Sequence, residues 1–194
     1  MKKNIIILVV LALLFFRAGL DCANPKKILI VYYSATGHTK QLAEAVSAGA
    51  KSVIGVQVKL LPVKEAKAAD ALWADAVILG SPVYNANMAP AILEYINSWP
   101  FEDAPMRDKI GAAFVSAGGI SAGEELTLMT ILHSMLIYEM IVVGGRDWLS
   151  AFGASAIVEE EPFGKTAKTG QVAPYFLKKA TGLGKRVAQI TLRF

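Results

Sequence analysis

Short apolar runs, separated by stretches long enough to form helices, constrain this chain more than any other feature. Lys27–Tyr33 (KILIVYY), Asp75–Ser81 (DAVILGS) and Lys109–Ala117 (KIGAAFVSA) are nearly continuous hydrophobic segments of strand length. Such runs suit strands covered on both faces, the situation of a parallel sheet with helices above and below. Between them, His38–Val53 places Leu42, Ala45, Val46 and Gly49 on one helical side, and Val56–Leu61 alternates as a strand stopped by Pro62. A short alanine-rich helix falls within 64–74, another runs from Pro90 to Trp99, and Glu124–Tyr138 carries a stripe of Leu128, Ile131, Leu132 and Met135. Met140–Val143 reads as a brief strand and Ala173–Leu192 as a final helix. Strands alternating with helices predict βαβ units and one doubly wound α/β domain over 24–194. Gly144–Gln171 falls outside that scheme, and 146–156 reads as a loop crossing the carboxyl edge of the sheet.

Residues 1–23 stand apart. Lys2 and Lys3 precede an unbroken apolar run, Ile5–Phe16, which Arg17 and the small pair Ala18-Gly19 terminate. As a helix that run reaches roughly 18 Å, short of a hydrocarbon core of about 30 Å. A secretory signal peptide is therefore the first reading, with export to the periplasm. A membrane anchor through residues 5–16 is the alternative, and a cytoplasmic protein follows if the start is misassigned. Removing the segment takes three of 20 basic and one of 16 acidic residues, leaving 17 and 15, so the excess charge falls from +4 to +2. The other Lys and Arg residues look scattered, and no nucleic-acid partner is expected. The lone Cys22 excludes a disulfide scaffold, and two histidines, His38 and His133, exclude a multi-histidine metal centre. His133 reads as a core or supporting histidine on the apolar stripe of its helix.

Ligands of doubly wound folds collect beyond the carboxyl ends of the strands. After the first strand come Ser34, Ala35, Thr36, Gly37, His38 and Thr39, opening a helix. Three hydroxyls, a glycine and the unpaired N–H groups of a helix start can hold a phosphate dianion through neutral donors. Neither GxxxxGK[ST] nor GxGxxG occupies this turn, which disfavours a P-loop NTPase or direct dinucleotide binding. The same residues also suit an ordinary capped turn. Gly182 and Gly184, in the last helix, read as packing residues.

With those residues in view, YSATGHT (33–39) resembles the (S/T)-x-T-G-x-T phosphate loop of the flavodoxin-like superfamily, which binds FMN. VYYSATGHTKQLAEAV, GSPVYNANMAP, FVSAGGISAGEE and SAFGASAI together resemble the flavodoxin-family NAD(P)H-dependent oxidoreductases, including the tryptophan-repressor-binding-protein type of NAD(P)H:quinone oxidoreductase. The resemblance implies a three-layer, five-stranded parallel sheet in the order 2-1-3-4-5, with FMN as cofactor. It also implies that Pro82, Val83, Tyr84, Asn85 and Asn87, and Ser116, Ala117, Gly118 and Gly119, flank the isoalloxazine ring. No catalytic side chain is expected, because the flavin carries the chemistry. The implied activity passes electrons from NAD(P)H to a quinone or similar small-molecule acceptor. A flavodoxin-type electron carrier is the alternative, disfavoured by the positive charge. If residues 1–23 direct export, a donor other than NAD(P)H is implied. The relatives place a histidine before the last strand, where this chain has Ile137, Tyr138 and Glu139, and they form homo-oligomers.

Overall fold

The three buried runs form the centre of a parallel sheet in the computed structural model, which describes residues 24–163 and 170–194. The segment 1–23, read as a signal peptide or anchor, lies outside the described residues. The strands are β1 (Lys26–Tyr32), β2 (Val56–Pro62), β3 (Ala76–Tyr84), β4 (Asn87–Met88), β5 (Ile110–Ala117), β6 (Ile141–Val142) and β7 (Ala154–Ile157). The helices are α1 (His38–Lys51), α2 (Ala68–Trp73), α3 (Pro90–Asn97), α4 (Glu124–Ile137) and α5 (Pro174–Thr191). Sheet order is β2-β1-β3-β5-β6, with β7 also beside β5 and β4 folded back antiparallel on β3. With β4 set aside and β6 and β7 taken as two pieces of one strand, this is the 2-1-3-4-5 order of the flavodoxin-like fold.

Side-chain alternation along the strands feeds two cores. Ile28, Ile30, Ile78, Ala112 and Phe114 point to one side, against Leu42 and Val46 of α1 and Leu183 and Val187 of α5. Leu29, Val31, Val77, Leu79 and Val115 point to the other, against Ile92 and Ile96 of α3 and Ile131 and Met135 of α4. On the first side α1 and α5 touch backbone to backbone. A Cβ on Gly49 would lie 2.0 Å from the Thr181 carbonyl oxygen, and one on Gly184 would lie 1.9 Å from that of Val46.

The fifth strand departs from the sequence reading. β6 pairs with Ile110 and Gly111, whereas β7 pairs with Phe114–Ala117 further along the same partner. Residues 154–156, expected in a loop, are therefore strand, and the chain makes an excursion only between the two pieces. Gly144 and Gly145 close that excursion: a Cβ on Gly144 would sit 1.8 Å from the Ala151 oxygen, and Gly145 N–H donates to the Ser150 carbonyl at 2.8 Å. Four residues, three of them small and only Ile157 β-branched, are too short a run to stand out against the glycines around them. His133 also departs from its reading: it is exposed on the outer side of α4, neither core nor site.

Asp70 closes the first turn of α2. It accepts the Lys67 N–H at 2.9 Å and the Lys59 ammonium at 2.8 Å, while Lys59 also lies 4.4 Å from the Trp73 ring centre. Burial alone would raise this carboxyl, but the two donors outweigh it and hold it below the ordinary carboxylate value. A depressed folded-state pKa stabilises above the unfolded value and loses that contribution as pH falls through the folded one. We expect Asp70→Asn to cost about 1 kcal/mol near neutral pH. In urea melts the difference from the parent should vanish under acid, below the ordinary carboxylate range.

Candidate functional site

Three loops leave the carboxyl ends of β1, β3 and β5 and meet on one edge of the sheet. In the first, Gly37 adopts φ +95°, a left-handed turn that lets α1 start at His38. Ser34 Oγ accepts the N–H groups of Gly37 at 3.1 Å and Lys40 at 3.2 Å. A hydroxyl that has accepted twice keeps one capacity, donation of its own proton. Thr36 Oγ1 lies 3.0 Å from His38 Nδ1 at the surface. The backbone N–H groups of Ala35, Thr36, His38 and Thr39 have no protein acceptor among the described residues. Open amides, a hydroxyl left as a donor and the positive end of a 14-residue helix together make a donor set suited to an anion.

Thr39 sits differently from Ser34 and Thr36. It is buried, and its hydroxyl lies 2.8 Å from that of Ser116 at the end of β5. That pair ties the first loop to the third from beneath. Removing one partner strands the other without a bond, at about 1–3 kcal/mol. Thr39→Val and Ser116→Ala should therefore each destabilise by that amount, and the double variant by less than their sum, in a denaturation cycle.

The second loop is held by Ser81, buried at the end of the apolar part of β3. Its hydroxyl donates to the Pro82 carbonyl at 2.7 Å and accepts the Ala89 N–H at 2.8 Å, clamping both ends of the hairpin. Asn85 and Ala86 turn the chain with φ of 51° and 59°, a two-residue turn between Tyr84 and Asn87. Tyr84 contacts Tyr33 edge to face, with ring centres 6.2 Å apart. Burial, and then Tyr33, raise the Tyr84 phenol above its ordinary value. Tyr84 lines one groove of about 750 Å³ with Val83, Asn85 and Asn87. Tyr33, Ser34, Gly37 and Lys40 line another of about 750 Å³.

The third loop, Gly118–Gly123, is covered by a segment absent from the sequence reading of the site. Glu159 and Glu160 donate their N–H groups to the Gly118 carbonyl at 3.1 and 2.9 Å. The Glu160 carboxylate accepts the Ile120 N–H, and its Oε2 lies 2.7 Å from where a Gly119 Cβ would stand. The acidic run 159–161 was visible in the sequence, but its contact with this loop depends on β7 adding to the sheet. The second and third loops also meet, since a Cβ on Gly123 would lie 2.5 Å from that of Ala86.

All fifteen candidate residues gather at one sheet edge, on the three loops or on the ends of α1, β3, β4 and β5 that flank them, with Ser81, Gly123 and Glu160 as supports that the sequence reading did not select. Ile137, Tyr138 and Glu139 lie elsewhere. Asp108 N–H donates to the Glu139 carbonyl at the amino end of β5, and Tyr138 packs edge to face on Trp99. Their identity therefore does not touch the site of the same chain. Trp148, Leu149 and Phe152 are exposed on the excursion between β6 and β7.

Fold and site together define a doubly wound α/β protein with a set of open amide donors at the start of its first helix and two further loops beside it. Residues 65–155 match the family model of NADPH-dependent FMN reductases. A flavodoxin of Aquifex aeolicus is 33% identical over 176 residues, 84% of this chain and 85% of that protein. An NAD(P)H dehydrogenase (quinone) of Geotalea daltonii is 30% identical over 144 residues, 61% of this chain and 70% of that one. Among solved structures, the flavodoxin, WrbA-like protein of Agrobacterium tumefaciens superposes with a TM-score of 0.67 at 22% identity, over 87% of this chain and 98% of that one. The chain belongs to the flavodoxin-like family of FMN oxidoreductases.

Proposed function

We propose that this protein binds FMN across its three loops and transfers electrons from NAD(P)H, or another donor, to a quinone or similar small-molecule acceptor. The observation that carries the reading is the donor set of the first loop. Unbonded amides of Ala35, Thr36, His38 and Thr39, with the Ser34 hydroxyl left as a donor, fit the FMN phosphate. When bound, FMN supplies the hydride and electron chemistry. The protein's own part is to hold and shape. Ser34 and Gly37 set the curve of the cradle, and the Thr39–Ser116 bond fixes its distance from the third loop. Ser81 clamps the hairpin that presents Tyr84. Glu160 places a negative charge beside Gly119, where it disfavours negative charge building up on a neighbouring group.

The family-model match and the Geotalea relative support an enzyme, while the Aquifex flavodoxin supports a second reading, an electron carrier without small-molecule turnover. The same proposal places the protein in the periplasm or on a membrane through residues 5–16, as a homo-oligomer. The exposed Trp148, Leu149 and Phe152 favour that assembly. The test is an absorption spectrum of the purified protein with mass spectrometry of its released chromophore, then NAD(P)H oxidation with a quinone. Turnover supports the enzyme, and bound FMN without turnover supports the carrier. A colourless protein that fails to take up added FMN overturns both.

A further inference from the structure

We propose that the pole of the domain where β1 begins and α5 ends docks on an anionic lipid bilayer. Three apolar side chains stand out there. Ile54 is 95% exposed, Phe194 70% and Leu192 42%. They share one pole with the start of β1. The Gly55 carbonyl accepts the Lys26 N–H at 3.0 Å, and a Cβ on Gly55 would lie 3.3 Å from Leu192 Cδ2. Phe194 and Lys26 line the same cleft, of about 540 Å³.

Cations lead to this pole. Arg146, Lys178, Lys185, Arg186 and Arg193 line a groove of about 720 Å³ along the outer side of α5. All five are exposed, and none enters an ion pair found among the described residues. Residues 170–194 contain no Asp or Glu. Scattered in the linear chain, these charges are gathered by helical spacing: Lys178 and Lys185, and Arg186 and Arg193, stand two turns apart. Arg146 joins them by lying on Gly182, whose Cβ would be 3.2 Å from that of Arg146. Among the acids at this pole, Glu139 pairs with Arg107, while Asp75 and Asp108 line the cleft together with Lys26 and Lys109.

Positive charge beside exposed Ile, Leu and Phe is the combination that seats a protein at a headgroup boundary, apolar groups inward and cations against phosphates. Nucleic acid would use the cations but gain nothing from Ile54. The chain also limits the geometry. Residues 17–25 separate the apolar run from β1, and a fully extended stretch of that length reaches about 30 Å. An apolar run lodged in a bilayer therefore keeps this pole at the surface, at high effective concentration.

The test is amide hydrogen exchange of the full chain in vesicles of phosphatidylcholine, with and without phosphatidylglycerol. Residues 52–56 and 189–194 should exchange about tenfold more slowly in the anionic vesicles. Lys185→Glu with Arg186→Glu should abolish that slowing, and Ile54→Asp should weaken it, with thermal unfolding unchanged. Equal exchange in both vesicles overturns the proposal, as does slowing at 34–37 and 148–152 instead. Slowing by a DNA duplex but not by anionic vesicles assigns the surface to nucleic acid and also overturns it. None of these readouts depends on the flavin.

Discussion

Gly184→Ala is expected to lower stability by about 3 kcal/mol, the upper part of the usual range for forcing extra volume into a packed interior. The new methyl would lie 1.9 Å from the Val46 carbonyl oxygen and 3.0 Å from the Ala50 nitrogen, both backbone atoms of α1. Backbone cannot rotate away as a side chain can, so α1 and α5 must separate along their crossing. Gly182→Ala, one residue pair earlier on the same helix, provides the contrast. There the nearest atoms are Arg146 Cβ at 3.2 Å and Cδ at 3.3 Å, an overlap of only a few tenths of an ångström with a surface loop, and alanine favours a helix over glycine by about 1 kcal/mol. Urea denaturation of the two variants should show a large loss for the first and none, or a small gain, for the second. Equal effects would mean that the helices do not cross where the glycines place them.

FMN affinity should fall about 100-fold in the double variant Ser34→Ala, Thr36→Val. Each hydroxyl donating to a phosphate dianion contributes roughly 1.5 kcal/mol at the low end for charged partners, and losing both corresponds to about two powers of ten. Ser34→Ala also releases the N–H groups of Gly37 and Lys40, loosening the curve that points the amides. Thr39→Val should behave differently. Its hydroxyl is bonded to Ser116 beneath the loop, so stability falls first, and affinity falls only as far as the loop shifts. Titration of the apoprotein with FMN, followed by quenching of flavin fluorescence, measures both. Unchanged affinity in the Ser34, Thr36 variant would place the phosphate elsewhere.

These two predictions draw on different layers of information. The turn into α1 was legible because a strand-to-helix turn is local: Ser34, Thr36 and Gly37 lie within a few residues of one another, and their geometry follows from neighbouring dihedrals. The strands were legible for a related reason. Burial on both faces leaves KILIVYY and KIGAAFVSA no polar alternation, and that signature survives in a linear reading. The burial of Thr39 against Ser116 was not legible, because nothing local tells a hydroxyl above a loop from one beneath it. Its partner Ser116 lies 77 residues away. His133 failed likewise, since its place on a stripe of mixed apolar residues left two helical sides to choose between.

The sequence by itself determined the alternation of strands and helices, the doubly wound sheet and the hydroxyl-rich turn that opens the first helix. Each depends on contacts or periodicities shorter than one βα unit. Only the tertiary structure decided that the fifth strand is split, that Glu160 covers the Gly119 loop, and that scattered lysines and arginines gather in one groove along α5. Those facts depend on pairing between distant segments. Strand register and helix crossing are chosen by the packing of the whole core, and no stretch of chain carries that choice alone.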